Sequence, residues 1–285
     1  MKKNNLNSVS SGMVLLALLI PNLPARAQTL SAQKLVQDVI YNELQANIHD
    51  HTKWMYRDED KTPGKDPVKL VVQTDAATVS KTILLNGHPL TPQQQRQDQA
   101  KMESVVNDPS VRAKQRKNGE HDDNQATSLL NMLPNAFIWT RVGESNNEIT
   151  LHFKPNPAFQ PPTYASRVFA AMAGEMVVDA PQKRIKVLSG TLIQTVDFGW
   201  GILGRLQKGG TFHVVHTEVA PGLWQITQTH VHINGRALFF KSISEQEDEI
   251  SNDYKKTPAG LTLQQAAEML TDGTIAKQLG ITPEN

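Results

Sequence analysis

The chain has 285 residues, 29 of them Lys or Arg and 28 Asp or Glu, so it is almost neutral. That balance excludes a nucleic-acid-binding domain, which needs a clearly basic surface. Cysteine is absent, which excludes disulfides, thiolate metal sites, thiol nucleophiles and cysteine-linked lipid anchors.

The first residues read as a secretory signal. Lys2 and Lys3 precede the apolar run Met13 to Ile20, and Ala25-Arg26-Ala27 has the small-x-small form of a cleavage site. That run is far shorter than the roughly 20 residues needed to span a bilayer. Cleavage after Ala27 leaves residues 28–285 with 26 basic and 28 acidic side chains, a net of −2. A periplasmic or secreted protein is expected, held by its core alone.

Thr29 to Asn47 carries Leu35, Val36, Val39, Ile40 and Leu44 at three- and four-residue steps, which predicts an amphipathic helix. The first strand starts in Thr52 to Arg57, and Asp58 to Asp66 reads as a charged turn. Val68 to Thr74 and Lys81 to Leu85 are further strands, the second ending at an Asn86-Gly87 turn. Thr91-Pro92-Gln93-Gln94 has the form of a capping box with proline in the first turn. The polar helical insertion it opens, at about 91–133, holds too few apolar residues for deep burial. Pro134 should end it.

Asn135 to Val142 and Glu148 to Lys154 read as a strand pair, followed by a proline-rich crossover and a short helix at Ala165 to Ala173. From Gly174 to Ile243 the chain reads as an antiparallel meander with turns at Ala180-Pro181, Pro221-Gly222 and Asn234-Gly235. Ser244 to Lys256 is a charged stretch, and Thr262 to Leu270 is a closing helix.

Candidate chemistry is sparse. His49/His51 and His230/His232 have the i, i+2 spacing of one strand face, but His213 is expected on a different pleat face from His230 and His232. That separation argues against a metal site. No Gly-x-Ser-x-Gly elbow is present, and Gly199-x-Gly201-x-x-Gly204 lacks the following βαβ unit that a phosphate loop needs. Asp179, Asp197 and Glu218 are carboxylates with nothing to fix their separation. No catalytic residue, metal ligand or cofactor is assigned.

One segment stands out. Phe198, Trp200, Ile202, Leu203 and Leu206 lie among Gly199, Gly201 and Gly204, with Gly209-Gly210 close behind. Glycines let a backbone swing and aromatic rings supply contact area, so these five residues are expected to border an apolar cavity as a flap. A packed crossover is the other reading.

The amphipathic first helix leads into a Trp-containing strand, and Gly174-Glu-Met-Val-Val-Asp179 opens the long meander. In this order of elements the chain resembles the periplasmic lipoprotein carriers and outer-membrane lipoprotein-sorting proteins of the Lol-type fold. The polar insertion and the proline-rich crossover depart from that family. The resemblance implies an α+β fold: a large curved antiparallel sheet, an incomplete barrel, with helices across its open side. It implies a single domain over 28–285 that carries a lipid, acyl chain or lipoprotein without catalysis and meets a membrane-associated delivery partner. A hydrolase using carboxylates on the sheet, or an interaction module without ligand, are the alternatives.

Overall fold

Alternating side chains and tight turns build most of this chain into one antiparallel sheet. The computed structural model describes residues 31–198, 204–237 and 241–281. The elements in order are α1 (Ala32–His49), β1 (Trp54–Lys61), β2 (Pro67–Gln73), β3 (Thr78–Leu85), β4 (His88–Pro89), α2 (Pro92–Asn107) and α3 (Pro109–Ala136). There follow β5 (Phe137–Ser145), β6 (Glu148–Pro155), α4 (Tyr164–Phe169), β7 (Met172–Asp179), β8 (Arg184–Leu192), β9 (Val196–Phe198) and β10 (Gly204–Leu206). The last are β11 (Thr211–Ala220), β12 (Leu223–Ala237), β13 (Lys241–Lys256), α5 (Leu263–Thr271) and α6 (Thr274–Leu279).

The main sheet runs β4-β3-β2-β1-β13-β12-β11-β8-β7-β6-β5, every neighbour antiparallel. It is open: no ladder joins its two outer strands among the described residues. The fold is therefore α+β, a large antiparallel sheet with helices packed on it. β13 and the second half of β1 lie where the sequence predicts a charged stretch and a charged turn. Both are polar on both faces, so the apolar alternation that marks a half-buried strand is missing.

Directly paired residues share a face of the sheet. Met176, Leu188, Val214, Thr229, Glu249 and Asp60 are paired in turn, so all six lie on one face, the front. Met55 is an odd number of residues from Asp60 in β1, so it points to the back. Each face has its own core. On the front, α1 and the end of α3 cover Phe137, Leu151, Phe153, Met176, Val178 and Ile185. On the back, α2, α5 and α6 cover Met55, Leu70, Val72 and Val79.

Local chemistry fixes the helices that do this. Ser31 caps α1 by accepting from the Lys34 N–H at 3.2 Å, and the stripe Leu35, Val36, Val39, Ile40 is buried as its spacing predicts. Thr91 and Gln94 form the capping box of α2. Asp108 then caps α3 by accepting from Ser110 N at 2.7 Å. Pro134 does not end α3, which continues to Ala136. Its place in the last turn removes little, and the carbonyls there find side-chain donors. Leu133 O accepts from Trp139 Nε1 at 3.1 Å, and Pro134 O from Gln33 Nε2 of α1.

Helix α3 also ties the sheet's far ends together. Near its start, the Gln115 amide accepts from Thr78 N and donates to Thr78 O, both at 3.0 Å, along the free edge of β3. Asp98 of α2 takes another edge amide, Thr82 N, at 2.9 Å. These contacts blunt an edge that would otherwise template strand addition. From Gln115 to Ala136 the helix spans about 32 Å. Nine strand spacings laid flat from β3 to β5 would need about 43 Å. The sheet must curve for one helix to reach both.

Candidate functional site

The front face is covered unevenly. Beneath α1 the core is tight, yet Leu188, Phe212, Val214, Val231 and Ile233, on the central strands β8, β11 and β12, are only half-buried. Leu188 pairs with Val214, and Phe212 with Val231, so the strip is continuous. It runs toward Leu206 and Val196, which are buried in the front core. Phe153 and Phe212 flank it across a pair of glycines. The row Phe153, Gly174, Gly190, Phe212 is paired strand to strand, and both rings close over the two glycines.

Of the expected flap residues, Leu206 and the backbone of Phe198 are described, and Leu206 lies near one end of this strip. Leu206 is in β10, opposite Val196 of β9 and Gly235 of β12. Phe198 ends β9, its backbone paired with Gly204. Trp200, Ile202 and Leu203 lie outside the described residues. The arm formed by β9 and β10 is pinned by a cross-strand pair, Arg205 Nε donating to Asp197 Oδ1 at 2.5 Å and Nη2 to Oδ2 at 3.3 Å. Asp197 raises the Arg205 pKa further above its already high value.

At the other end of the strip the polar groups are structural. His216 is held below the usual imidazole range, chiefly by burial, with Arg184 adding to it and Glu43 opposing it. The unfolded chain takes up the proton first, so stability should fall as pH drops below 6.5 toward the lower folded pKa. Thermal melts between pH 7 and 5 should show this decline, and His216→Gln should make it shallower. An unchanged slope in the variant would show that His216 is not the group responsible. On β1 and β13, Tyr56 and Tyr254 stack with centroids 4.8 Å apart. Burial raises both phenols, that of Tyr254 to about 12, so neither ionises at ordinary pH.

The three carboxylates considered for hydrolysis do not form an acid/base pair. Gln182 donates to Asp179 Oδ1 through its backbone at 2.8 Å and to Glu218 Oε1 through its side chain at 3.1 Å. Glu218 also accepts from Gly222 N and is held below the usual carboxylate range by that contact. Asp197 is bound to Arg205 beyond the opposite end of β8. All three serve turns or the arm.

The histidines correct the sequence expectation. His213 is not on a different face from His230: the two are directly paired across β11 and β12. The Pro221-Gly222 turn sets Ala220 against Leu223, and two bulges follow, one on each strand, whose shifts cancel before His213. A back-face row results in which His152, Glu175, Ser189, His213, His230 and Asp248 are paired in turn. His230 Nδ1 meets Asp248 Oδ1, and His232 Nε2 meets Gln246 Nε2 at 2.8 Å. Among the described residues no three His, Asp or Glu side chains are already converged as metal ligands.

The sequence reading missed the half-buried strip, although alternation in Phe212-His-Val214 and Thr229-His-Val231 carries its signal. Among the described residues no helix is long and apolar enough to cross a membrane. Comparison with family models, curated proteins and solved structures finds no match for this chain.

Proposed function

We propose that this is an exported binding protein that carries an acyl chain on the front face of its sheet, without catalysis. One observation carries this reading: the central strands of a large sheet leave the continuous apolar strip Leu188, Val214, Phe212 and Val231 half-covered. A side-chain-filled interior would bury such residues as fully as Leu151 or Met176. Each methylene laid on the strip would contribute about 0.8 kcal/mol, so a long chain gains on the order of 10 kcal/mol before entropy is counted. The flap residues Phe198, Trp200, Ile202, Leu203 and Leu206 adjoin the strip in the chain and would close over one end of the ligand. The acylated molecule would pass to a membrane-associated partner, and the Lol-type resemblance supports that ordering of roles.

A fluorescent fatty acid tests the reading. The purified protein should bind it saturably, and Val231→Glu, which places a carboxylate in mid-strip, should weaken binding at least about 100-fold by the penalty of burying an unpaired charge. Trp200→Ala should weaken it less and leave stability nearly unchanged. No uptake by the parent protein, or equal uptake by Val231→Glu with the fold intact, would refute the proposal. An organic extract analysed by mass spectrometry identifies any ligand retained through purification.

A further inference from the structure

The back face of the same central strands points to a second kind of ligand. We propose that His213, His230 and His232 bind one divalent transition-metal ion, of the zinc or copper(II) type, on the solvent side of the sheet. The geometry is set by the backbone. Directly opposed residues such as His213 and His230 have Cβ atoms about 4.5–5.5 Å apart, and diagonal neighbours such as His213 and His232 about 7–8 Å. His230 and His232, two residues apart in one strand, are separated by about 6.8 Å along it. Three imidazoles rising from a triangle of those dimensions can meet at a point above its centre with metal–nitrogen distances of about 2.0–2.1 Å.

The partners of these rings are the ones a metal site uses. Asp248 engages Nδ1 of His230, which leaves Nε2 as the free nitrogen and fixes its tautomer. A carboxylate behind a ligating imidazole is the usual means of orienting the ring and raising its basicity. Gln246 Nε2 donates to Nε2 of His232, so Nδ1 carries the proton, and the amide must turn its oxygen toward Nε2 before Nδ1 can ligate. His213 makes no hydrogen bond among the described residues. The three rings are not assembled around a common point as they stand, and side-chain rotation on the fixed ladder would bring them together on metal binding.

Three neutral imidazoles leave a fourth position open. That position would lie near a shallow trough of about 660 Å³ whose lining includes His152, Glu175, Ser189 and Thr211 together with the front-face residues Phe153 and Phe212. Ser189 and Thr211 are the strand partners of His213 and His232, so the trough starts beside the proposed ion. A small anionic or hydroxyl-bearing molecule could reach the open position from there.

The test uses the untagged protein. Titration calorimetry with zinc should show one saturable equivalent, and the copper(II) form should give a spin-resonance spectrum split by equatorial imidazole nitrogens. His213→Ala and His232→Ala should each abolish the equivalent or weaken it by more than 100-fold. Asp248→Asn, which keeps all three ligands, should weaken it by about 10–100-fold. The double variant His49→Ala/His51→Ala, at the other i, i+2 pair, should bind as the parent does. Circular dichroism should show every variant folded, because the altered side chains are at least partly exposed. No saturable equivalent, or an equivalent that survives His213→Ala and His232→Ala, would overturn the proposal.

Discussion

Replacing Glu43 by alanine should lower the unfolding free energy by about 3–5 kcal/mol, the usual effect of stripping one partner from a buried ion pair. Glu43 lies in α1 with 3% of its surface exposed. One carboxylate oxygen accepts from Arg184 Nε at 3.0 Å and from the Ile185 N–H at 2.7 Å; the other accepts from Arg184 Nη2 at 2.9 Å. The Ile185 amide needs this partner because the β7–β8 register shifts beside it, between Val177 and Val178. Without Glu43 a guanidinium held between α1 and the ring of Trp224 has no counter-charge. Urea denaturation at neutral pH measures the loss. The double variant Glu43→Leu/Arg184→Met should recover much of it, since the buried cation leaves with its partner. A loss below about 1 kcal/mol would place the pair in solvent rather than between helix and sheet.

The second large effect belongs to Gly174. A Cβ built there would lie 2.0 Å from Ser189 O and 2.6 Å from Gly190 Cα, both backbone atoms of the adjoining strand. No side-chain rotation relieves a clash with backbone, so Gly174→Ala must part β7 from β8 in the middle of the front core. We expect a loss at or above the upper end of the ordinary overpacking range, about 3 kcal/mol. Gly143→Ala is the matched control, for nothing lies within 4 Å of its Cβ. It should stay within about 0.5 kcal/mol of the parent. Equal melting temperatures for the two variants would contradict the close approach at Gly174.

How far the sequence discloses the molecule depends on which faces of each element are apolar. The stripe of α1, the capping boxes at Thr91 and Thr262, and the Asn86-Gly87 turn are legible locally. The same dipeptide at Asn234-Gly235, expected as a hairpin turn, instead runs straight through β12 because its backbone is paired on both sides. β13 is not legible locally, because a strand with water or polar neighbours on both faces has no period to detect. The His213–His230 pairing, by contrast, follows from counting back from the Pro221-Gly222 turn: Ala220 opposite Leu223 places His213 opposite His230, and the two bulges between them cancel. The Gly174–Gly190 approach is silent in the sequence: two glycines 16 residues apart signify nothing until β7 and β8 are paired. The half-covered strip is visible only as a pattern, since the degree of cover depends on where α1 crosses.

The pairing of β1 with β13 sets the timing of assembly. Trp54 is opposite Lys256, roughly 200 residues later, and this ladder joins the two halves of the sheet. A chain appearing N-terminus first can form the β1–β2–β3 hairpins early, but the inner edge of β1 then stays open until nearly all of the protein has emerged. Closing so long a loop is entropically slow, and sheets built on distant pairings fold in milliseconds to seconds. Through that interval β1 offers unpaired amides and carbonyls to any neighbouring strand. Its charges bear on this hazard: Asp58, Glu59 and Asp60 fill the last part of the waiting edge, where charged side chains that must keep water or a counter-ion discourage another strand from docking. The residues that hide the second half of β1 from sequence-based recognition thus serve as its protection against aggregation before β13 arrives.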